Sequence, residues 1–173
     1  MSDLLKRMQT RRSIRKYKTD MIPRDIIDKI VTAGTYAATA MNKQSPIIIA
    51  VTNKEMRDKL SRMNAEVMES DGDPFYGAPV VLIVLADKTI ANRVYDGSLV
   101  MGNLMLAAHV LGIGSCWIHR AKQEFETEEG KEILKSLGIT GEYEGIGHCI
   151  LGYVDGEYPQ ASARKENWVY YID

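Results

Sequence analysis

The sequence predicts a domain of the α/β or α+β class in which helices cover both faces of a central sheet. A chain of 173 residues that is 45% hydrophobic and 26% charged has the size and composition of one globular domain, residues 1–173. Short β-branched runs alternate with segments whose apolar residues recur at helical spacing. The sequence contains no internal repeat, low-complexity tract or Pro/Gly/Ser-rich linker. We therefore expect one core.

Two helices are predicted before the first strand. Residues 3–9 form a short helix that leads into a basic segment. Pro23 is expected at the first position of a second helix, where a missing N–H is tolerated, and Gly34 near its end or at a bend. The buried face of that helix carries Ile26, Ile27, Ile30 and Val31.

The strands are predicted from apolar runs that do not alternate with polar residues. Residues 46–51 and 79–86 have the pattern of central strands covered on both faces, and residues 146–154 form another interior strand. The apolar residues 168–172 are extended at a chain end and lack local structure that could bury them. We expect this tail to dock on a sheet edge, either its own or a partner's.

Three further helices are predicted between the strands. Asn53 can cap the first, and residues 90–111 are apolar nearly all round, which indicates a buried central helix. Thr127 can cap a surface helix that ends just before Gly138. The apolar face of the Asn53 helix carries Met56, Leu60, Met63 and Val67.

Composition excludes several classes of protein. The apolar runs are shorter than the ~20 residues of a membrane span, and residues 1–18 contain no signal-peptide core, so we expect a cytoplasmic protein that does not bind membranes. The net charge of -1 argues against a dedicated nucleic-acid binder. Cys116 and Cys149 lack metal or redox spacing and are expected to be reduced, buried thiols.

Familiar catalytic patterns are absent from the sequence. The Gly-rich stretches 112–117 and 145–150 lack the third glycine of a dinucleotide fingerprint, and the first follows a helix instead of a strand. His109, His119 and His148 have neither metal-ligand spacing nor a convincing carboxylate and serine set, so we expect His109 and His148 to be structural and no metal to bind.

Four motifs remain, and they occur in a fixed order. They are Arg11-Arg-Ser-Ile-Arg15, the Asn42-Lys-Gln44 loop, Leu111-Gly-Ile-Gly-Ser-Cys-Trp-Ile118 and Gly147-His-Cys-Ile-Leu-Gly-Tyr153. Taken alone, the basic segment would be read as a solvated face. Together the motifs resemble the FMN-dependent nitroreductase family along almost the whole chain. The resemblance implies an α+β, three-layer α/β/α fold with a mixed sheet, and an obligate homodimer with FMN at each subunit interface.

The resemblance also implies roles for individual residues. Arg11, Arg12 and Ser13 would hold the phosphate and ribityl chain, and Arg15 would lie by the pyrimidine edge, where a cation favours reduced flavin. Asn42 and Gln44 would supply amide contacts, expected from the other subunit. The remaining implied contacts are Arg164 and Lys165 on the phosphate, and Trp117, Ile118 and His119 beside the ring. No protein acid or base is assigned, because the flavin carries the chemistry.

The predicted activity is a ping-pong reaction in which NADH or NADPH is oxidised and a nitroaromatic, quinone or similar small acceptor is then reduced. The stretch between Met63 and Pro79 is short, where longer family members build a lid, so a more open or partner-built pocket is expected. Two alternatives remain. One is an FMN carrier, sensor or flavin-modifying relative without turnover, and the other is a nucleic-acid-binding domain built on residues 11–18.

Overall fold

The computed structural model describes residues 2–173. The helices are α1 (Asp3–Thr10), α2 (Arg24–Thr35), α3 (Lys54–Val67), α4 (Arg93–Val110), α5 (Ala121–Glu126) and α6 (Glu128–Ser136). The strands are β1 (Pro46–Val51), β2 (Val80–Asp87), β3 (Gly114–Ile118) and β4 (Tyr143–Gly152). A short 3-10 turn, Ala40–Asn42, precedes β1.

The strands form one sheet in the order β1-β2-β4-β3, with antiparallel neighbours. An isolated parallel bridge between Ser13 and Ser115 brings the basic segment to the β3 edge, beside the four antiparallel strands. β2 and β4 occupy the interior, as their continuous apolar runs predicted. The three-layer α/β/α prediction is confirmed.

The core lies on both faces of the sheet. Ile83 and Leu85 of β2 join a cluster on the face covered by α3, α5 and α6, while Leu82 and Val84 join a cluster on the face covered by α2 and α4. Successive strand residues point to opposite faces, so both faces of this strand are apolar. This double burial explains why the strand sequences do not alternate.

The first apolar run is an edge strand, which corrects the expectation that it is central. Ile47 and Ile49 pack on one cluster and Ile48 on the other, so both of its faces are apolar. Its outer edge is nevertheless not paired with another strand within residues 2–173. A run of apolar residues that does not alternate with polar ones therefore indicates that both faces of the strand are covered. It does not indicate whether the strand is central or at the edge of the sheet.

The predicted capping residues of two helices are confirmed, and the start of a third differs by one residue. Asn53 Oδ1 accepts a hydrogen bond from the Met56 N–H at 2.9 Å, and Thr127 Oγ1 accepts one from the Gly130 N–H at 3.0 Å. Pro23 caps α2 instead of occupying its first helical position. Gly112 follows α4 at φ +77°, a left-handed conformation that ends the helix and that glycine adopts without strain.

The apolar helix α4 is only partly buried in the protomer, whereas a buried central helix was expected. Val100, Met101 and Leu104 lie in the core, but Tyr95 is 72% exposed and Leu99 51% exposed. This second apolar face has no cover within the described chain. Exposed apolar patches of this kind commonly mark interaction surfaces.

Packing accounts for the remaining sequence features. An added Cβ at Gly147 would lie 2.3 Å from Trp117 Nε1, so this glycine permits close packing and not phosphate binding. Cys116 and Cys149 are buried in opposite clusters, as predicted for free thiols, and cannot be joined across the sheet. None of the helices described is long and apolar enough to cross a membrane.

The C-terminal tail lies open in the protomer. Residues 159–173 form no helix or strand, and Trp168, Tyr170 and Tyr171 are exposed. In this protomer the tail does not dock on its own sheet edge, which was one of the two expected possibilities. The alternative, docking on a partner, stays a prediction.

Candidate functional site

The basic segment runs along the β3 edge of the sheet. The Ile14 N–H donates to the Ser115 carbonyl at 2.9 Å, and the Lys18 N–H donates to the Tyr153 carbonyl at 2.9 Å. Ile14 itself is buried. These backbone hydrogen bonds fix the position of the main chain that carries the neighbouring arginines. The fold therefore holds this basic segment in one place.

Arg11 and Arg12 hold buried guanidinium nitrogens without partners. Arg12 Nη1 donates to the carbonyls of Gln9 at 2.9 Å and Arg11 at 2.7 Å, which closes the end of α1. Arg12 Nε and Arg11 Nη1 are buried and have no hydrogen-bond partner among residues 2–173. Unpaired buried donors are costly, so this arrangement suits a dianion such as a phosphate. These residues therefore fit the phosphate of FMN.

His109, on α4, links two residues that lie next to Arg11 and Arg12. Its Nε2 lies 3.0 Å from Thr10 Oγ1 and its Nδ1 lies 2.9 Å from Tyr158 Oη, which also accepts from the Arg12 N–H. Burial, followed by the nearby charges of Arg7, Arg11 and Arg12, lowers the pKa of His109. A neutral imidazole therefore serves as a bridging element, in agreement with the structural role predicted for it.

A cleft of about 410 Å³ brings four predicted residues together. Arg15 lies on one side, and Trp117, Ile118 and His119 from the end of β3 form another wall. The lining residues that were not predicted include Tyr76 and Arg120, and Arg120 lies only two residues beyond the recognised motif. Both have positive φ, 53° and 78° respectively, a conformation uncommon outside glycine and often associated with function.

The Asn42 loop lies by the opposite edge of the sheet. Gln44 Nε2 donates to Asn42 Oδ1 at 3.0 Å, and both residues are exposed with positive φ. The loop leads directly into β1, whereas Arg15 and Trp117 lie at β3. Three strand spacings, about 14 Å in all, separate these two edges. One protomer therefore does not bring the two halves of the predicted site together.

Arg164 and Lys165 are exposed in the C-terminal tail. Arg164 Nη2 donates to the Ser162 carbonyl at 2.8 Å, and Lys165 Nζ lies 5.2 Å from the centre of the Trp168 ring. Both contacts are local. Within the protomer these residues are not joined to Arg11 or Arg12, so their predicted phosphate role depends on how the tail docks.

The loop that carries Tyr76 is anchored by Asp73. Its carboxylate accepts from Arg57 Nη2 at 2.5 Å, from Ser61 Oγ at 2.6 Å and from the N–H groups of Phe75 and Gly77. Burial alone would raise the pKa of Asp73, but these hydrogen bonds outweigh it and lower the pKa. The short stretch after Met63 thus forms a fixed wall of the cleft.

A buried polar network lies beneath the other wall. His148 Nε2 is 3.1 Å from Glu124 Oε2, and both side chains are fully buried. Glu124 is therefore the carboxylate beside His148, a partner that no sequence pattern indicated. Asn64 donates to Glu124 and, at 2.9 Å, to the His119 carbonyl. Asn64 stands on the apolar face of α3, a signal that a buried polar contact was needed there.

The fold and site together define a three-layer α/β/α protein with buried, unpaired arginine nitrogens and a cleft at one sheet edge. The sequence profile of the Nitroreductase family matches residues 8–74 and 69–153. The chain belongs to the nitroreductase family.

Relatives with descriptive names agree with this membership. A protein of Archaeoglobus fulgidus is 33% identical over 91% of this chain and 88% of its own length, and one of Methanothermobacter thermautotrophicus is 35% identical over 66% of this chain and 60% of its own length. Both carry the name NADH dehydrogenase/NAD(P)H nitroreductase. The crystal structure of a Bacteroides fragilis nitroreductase with bound FMN superposes with a TM-score of 0.91 at 27% identity, covering 100% of both chains.

Proposed function

We propose that residues 1–173 form one FMN-binding domain that oxidises NADH or NADPH and reduces small acceptors such as nitroaromatics or quinones. The observation that carries the proposal is the pair of unpaired buried nitrogens on Arg11 and Arg12, in the same basic segment as Arg15, which lines the cleft together with other motif residues of the family. FMN supplies the redox chemistry in a ping-pong cycle. The FMN-bound Bacteroides fragilis relative supports this choice of cofactor.

The chain's own residues bind and orient the reactants. Arg11, Arg12 and Ser13 hold the phosphate and ribityl groups through charge-assisted hydrogen bonds. Arg15 places a positive charge beside the cleft, where it favours the reduced, anionic form of the ring. Trp117, Ile118 and His119 provide the wall against which a planar ring can lie. No side chain is assigned a proton-transfer step.

We propose that a homodimer completes the site. The Asn42 loop lies at the edge opposite Arg15, so Asn42 and Gln44 reach the cleft from the other subunit. The exposed apolar face of α4 and the exposed aromatic tail offer the surfaces that a partner would cover. Docking of the tail on the partner would also carry Arg164 and Lys165 to a phosphate.

Replacing Leu99 with glutamate is expected to raise the dimer dissociation constant at least tenfold, because a carboxylate would enter an apolar interface, at a cost of about 1.4 kcal/mol or more. Light scattering at several protein concentrations measures this change. The FMN content of the purified protein should decrease as the fraction of dimer decreases. Leu137→Glu is the matched control, since Leu137 is similarly exposed on the layer that carries α6. Equal effects of both variants would contradict this choice of interface.

A location in the cytoplasm is also proposed. Cys116 and Cys149 are both buried free thiols, a state that suits a reducing compartment. Residues 11–18 form backbone bonds to the sheet edge and direct Arg11 and Arg12 inward, which favours the cofactor role over a nucleic-acid surface. Fractionation of the source cells, with the protein followed by immunoblotting, tests this location.

The absorption spectrum of the purified protein tests the proposal. With FMN added, we expect a bound flavin spectrum that bleaches when NADH or NADPH is supplied without oxygen and returns when a quinone or nitroaromatic is added. Bound flavin that resists both nucleotides would favour the carrier or sensor function. A protein that does not bind FMN but binds DNA with steep salt dependence would favour the nucleic-acid alternative.

A further inference from the structure

Arg120 has an unusual setting in the cleft. Its φ is 78°, and its Nε donates to Asn64 Oδ1 at 3.0 Å. Within residues 2–173 no carboxylate lies within 4.0 Å of its guanidinium, so its charge is not neutralised by an ion pair. The neutral amide anchors one edge of the guanidinium and leaves the other nitrogens available to a ligand.

The partner of Arg120 is itself held in place. The amide nitrogen of Asn64 is occupied by Glu124 and by the His119 carbonyl, so its oxygen must face Arg120. Asn64 and Glu124 are both fully buried. Glu124 in turn contacts His148, which fixes the carboxylate. The buried network therefore positions Arg120 at the cleft wall without supplying it with a negative charge there.

The charges that line the cleft do not balance. Asp73 is the acidic residue among the lining side chains, and its two oxygens are already occupied by Arg57, Ser61 and backbone N–H groups. Arg15 and Arg120 line the same space. Arg15 is assigned to the flavin, which leaves Arg120 as a cation for whatever enters beside it. Tyr76 also lines this space, and its exposed ring offers a face to a flat molecule.

We propose that Arg120 selects acceptors that are planar aromatics bearing a carboxylate, of the nitrobenzoate type. This inference rests on the proposed function and names the acceptor class of the same cleft. The guanidinium binds the carboxylate through paired hydrogen bonds while the ring lies in the space next to the flavin. Neutral acceptors of equal size lack this contact and are reduced less efficiently.

The test compares 4-nitrobenzoate with 4-nitrobenzamide, which has the same shape without the charge. In the FMN-loaded protein, kcat/KM should favour the carboxylate, and Arg120→Gln should lower that value about tenfold for nitrobenzoate while changing nitrobenzamide less than about twofold. Arg120→Lys keeps the charge and should retain part of the preference. Arg62→Gln, an exposed arginine on α3, is the charge-matched control.

A readout without turnover separates this inference from the proposed function. The dissociation constants of benzoate and benzamide, measured by perturbation of the flavin spectrum, should show the same dependence on Arg120. Added salt should weaken benzoate binding to the unaltered protein and leave benzamide binding nearly unchanged. Charge-selective binding without any turnover would support the inference and overturn the reductase activity. Turnover with equal efficiency on both acceptors would overturn the inference alone, as would equal losses in Arg120→Gln.

Discussion

Replacement of Arg11 with glutamine is expected to raise the FMN dissociation constant about 10- to 100-fold, because a charge-assisted hydrogen bond to phosphate contributes about 1.5–3 kcal/mol. Arg11 is suited to the test since its Nη1 is buried without a partner, so the substitution removes no hydrogen bond of that atom with the described chain. Arg12 is less suitable because it also closes the end of α1 through two carbonyls. Fluorescence titration of apoprotein with FMN measures the change.

The matched control for Arg11 is Arg24→Gln on the exposed surface of α2, where the arginine pairs with Asp28. Its FMN affinity should remain within about twofold of the unaltered protein, because distant surface charges are screened by salt. Riboflavin, which lacks the phosphate, provides a second control and should lose little affinity in Arg11→Gln. If FMN and riboflavin lose affinity equally, Arg11 does not bind the phosphate.

Replacement of Glu124 with alanine is expected to lower the free energy of unfolding by about 3 kcal/mol, since removing one member of a buried pair leaves its partners unsatisfied. Glu124 lies fully buried against His148 Nε2 at 3.1 Å and accepts from Asn64. Without it, His148 would remain buried without its carboxylate partner, and Asn64 would keep only the His119 carbonyl as an acceptor. Urea unfolding measures the loss at fixed protein and FMN concentrations, because dimerisation and ligand binding also add stability.

Glu126→Ala is the control for this second substitution. Glu126 is exposed on the same helix α5, so its replacement should change the unfolding free energy by no more than about 0.5 kcal/mol. Glu124→Gln keeps an acceptor for Asn64 and should be less damaging than alanine. A loss in Glu124→Ala as small as that in Glu126→Ala would show that the buried network contributes little to stability.

Local chemistry accounts for the elements that could be predicted. The caps at Asn53 and Thr127 involve atoms three residues apart, so they form wherever these helices begin. The run at β2 is apolar on both faces, which requires that both faces of this strand be covered. β3 was not predicted as a strand, because its five residues begin with Gly114 and Ser115 and its pairing with β4 comes from distant sequence.

Two expected positions differ in the structure, for different reasons. The β1 run was expected in the sheet interior, but it is an edge strand whose two faces are covered by the protomer's own clusters. The apolar helix was expected to be a buried central helix, but one face of α4 is exposed in the protomer. That exposed face is a surface that the proposed second subunit would cover.

By itself, the sequence determined five of the six helices and three of the four strands described. It also determined that the chain has the ordered motifs of a known family and that several of its arginines are concentrated before the core. These features depend on contacts within a few residues or on residue type alone. Only the tertiary structure decided that Arg11 and Arg12 carry unpaired buried nitrogens, that Asn42 and Arg15 lie by opposite sheet edges, and that Asn64 positions Arg120. Those facts depend on pairing and burial between distant segments, which no local pattern encodes.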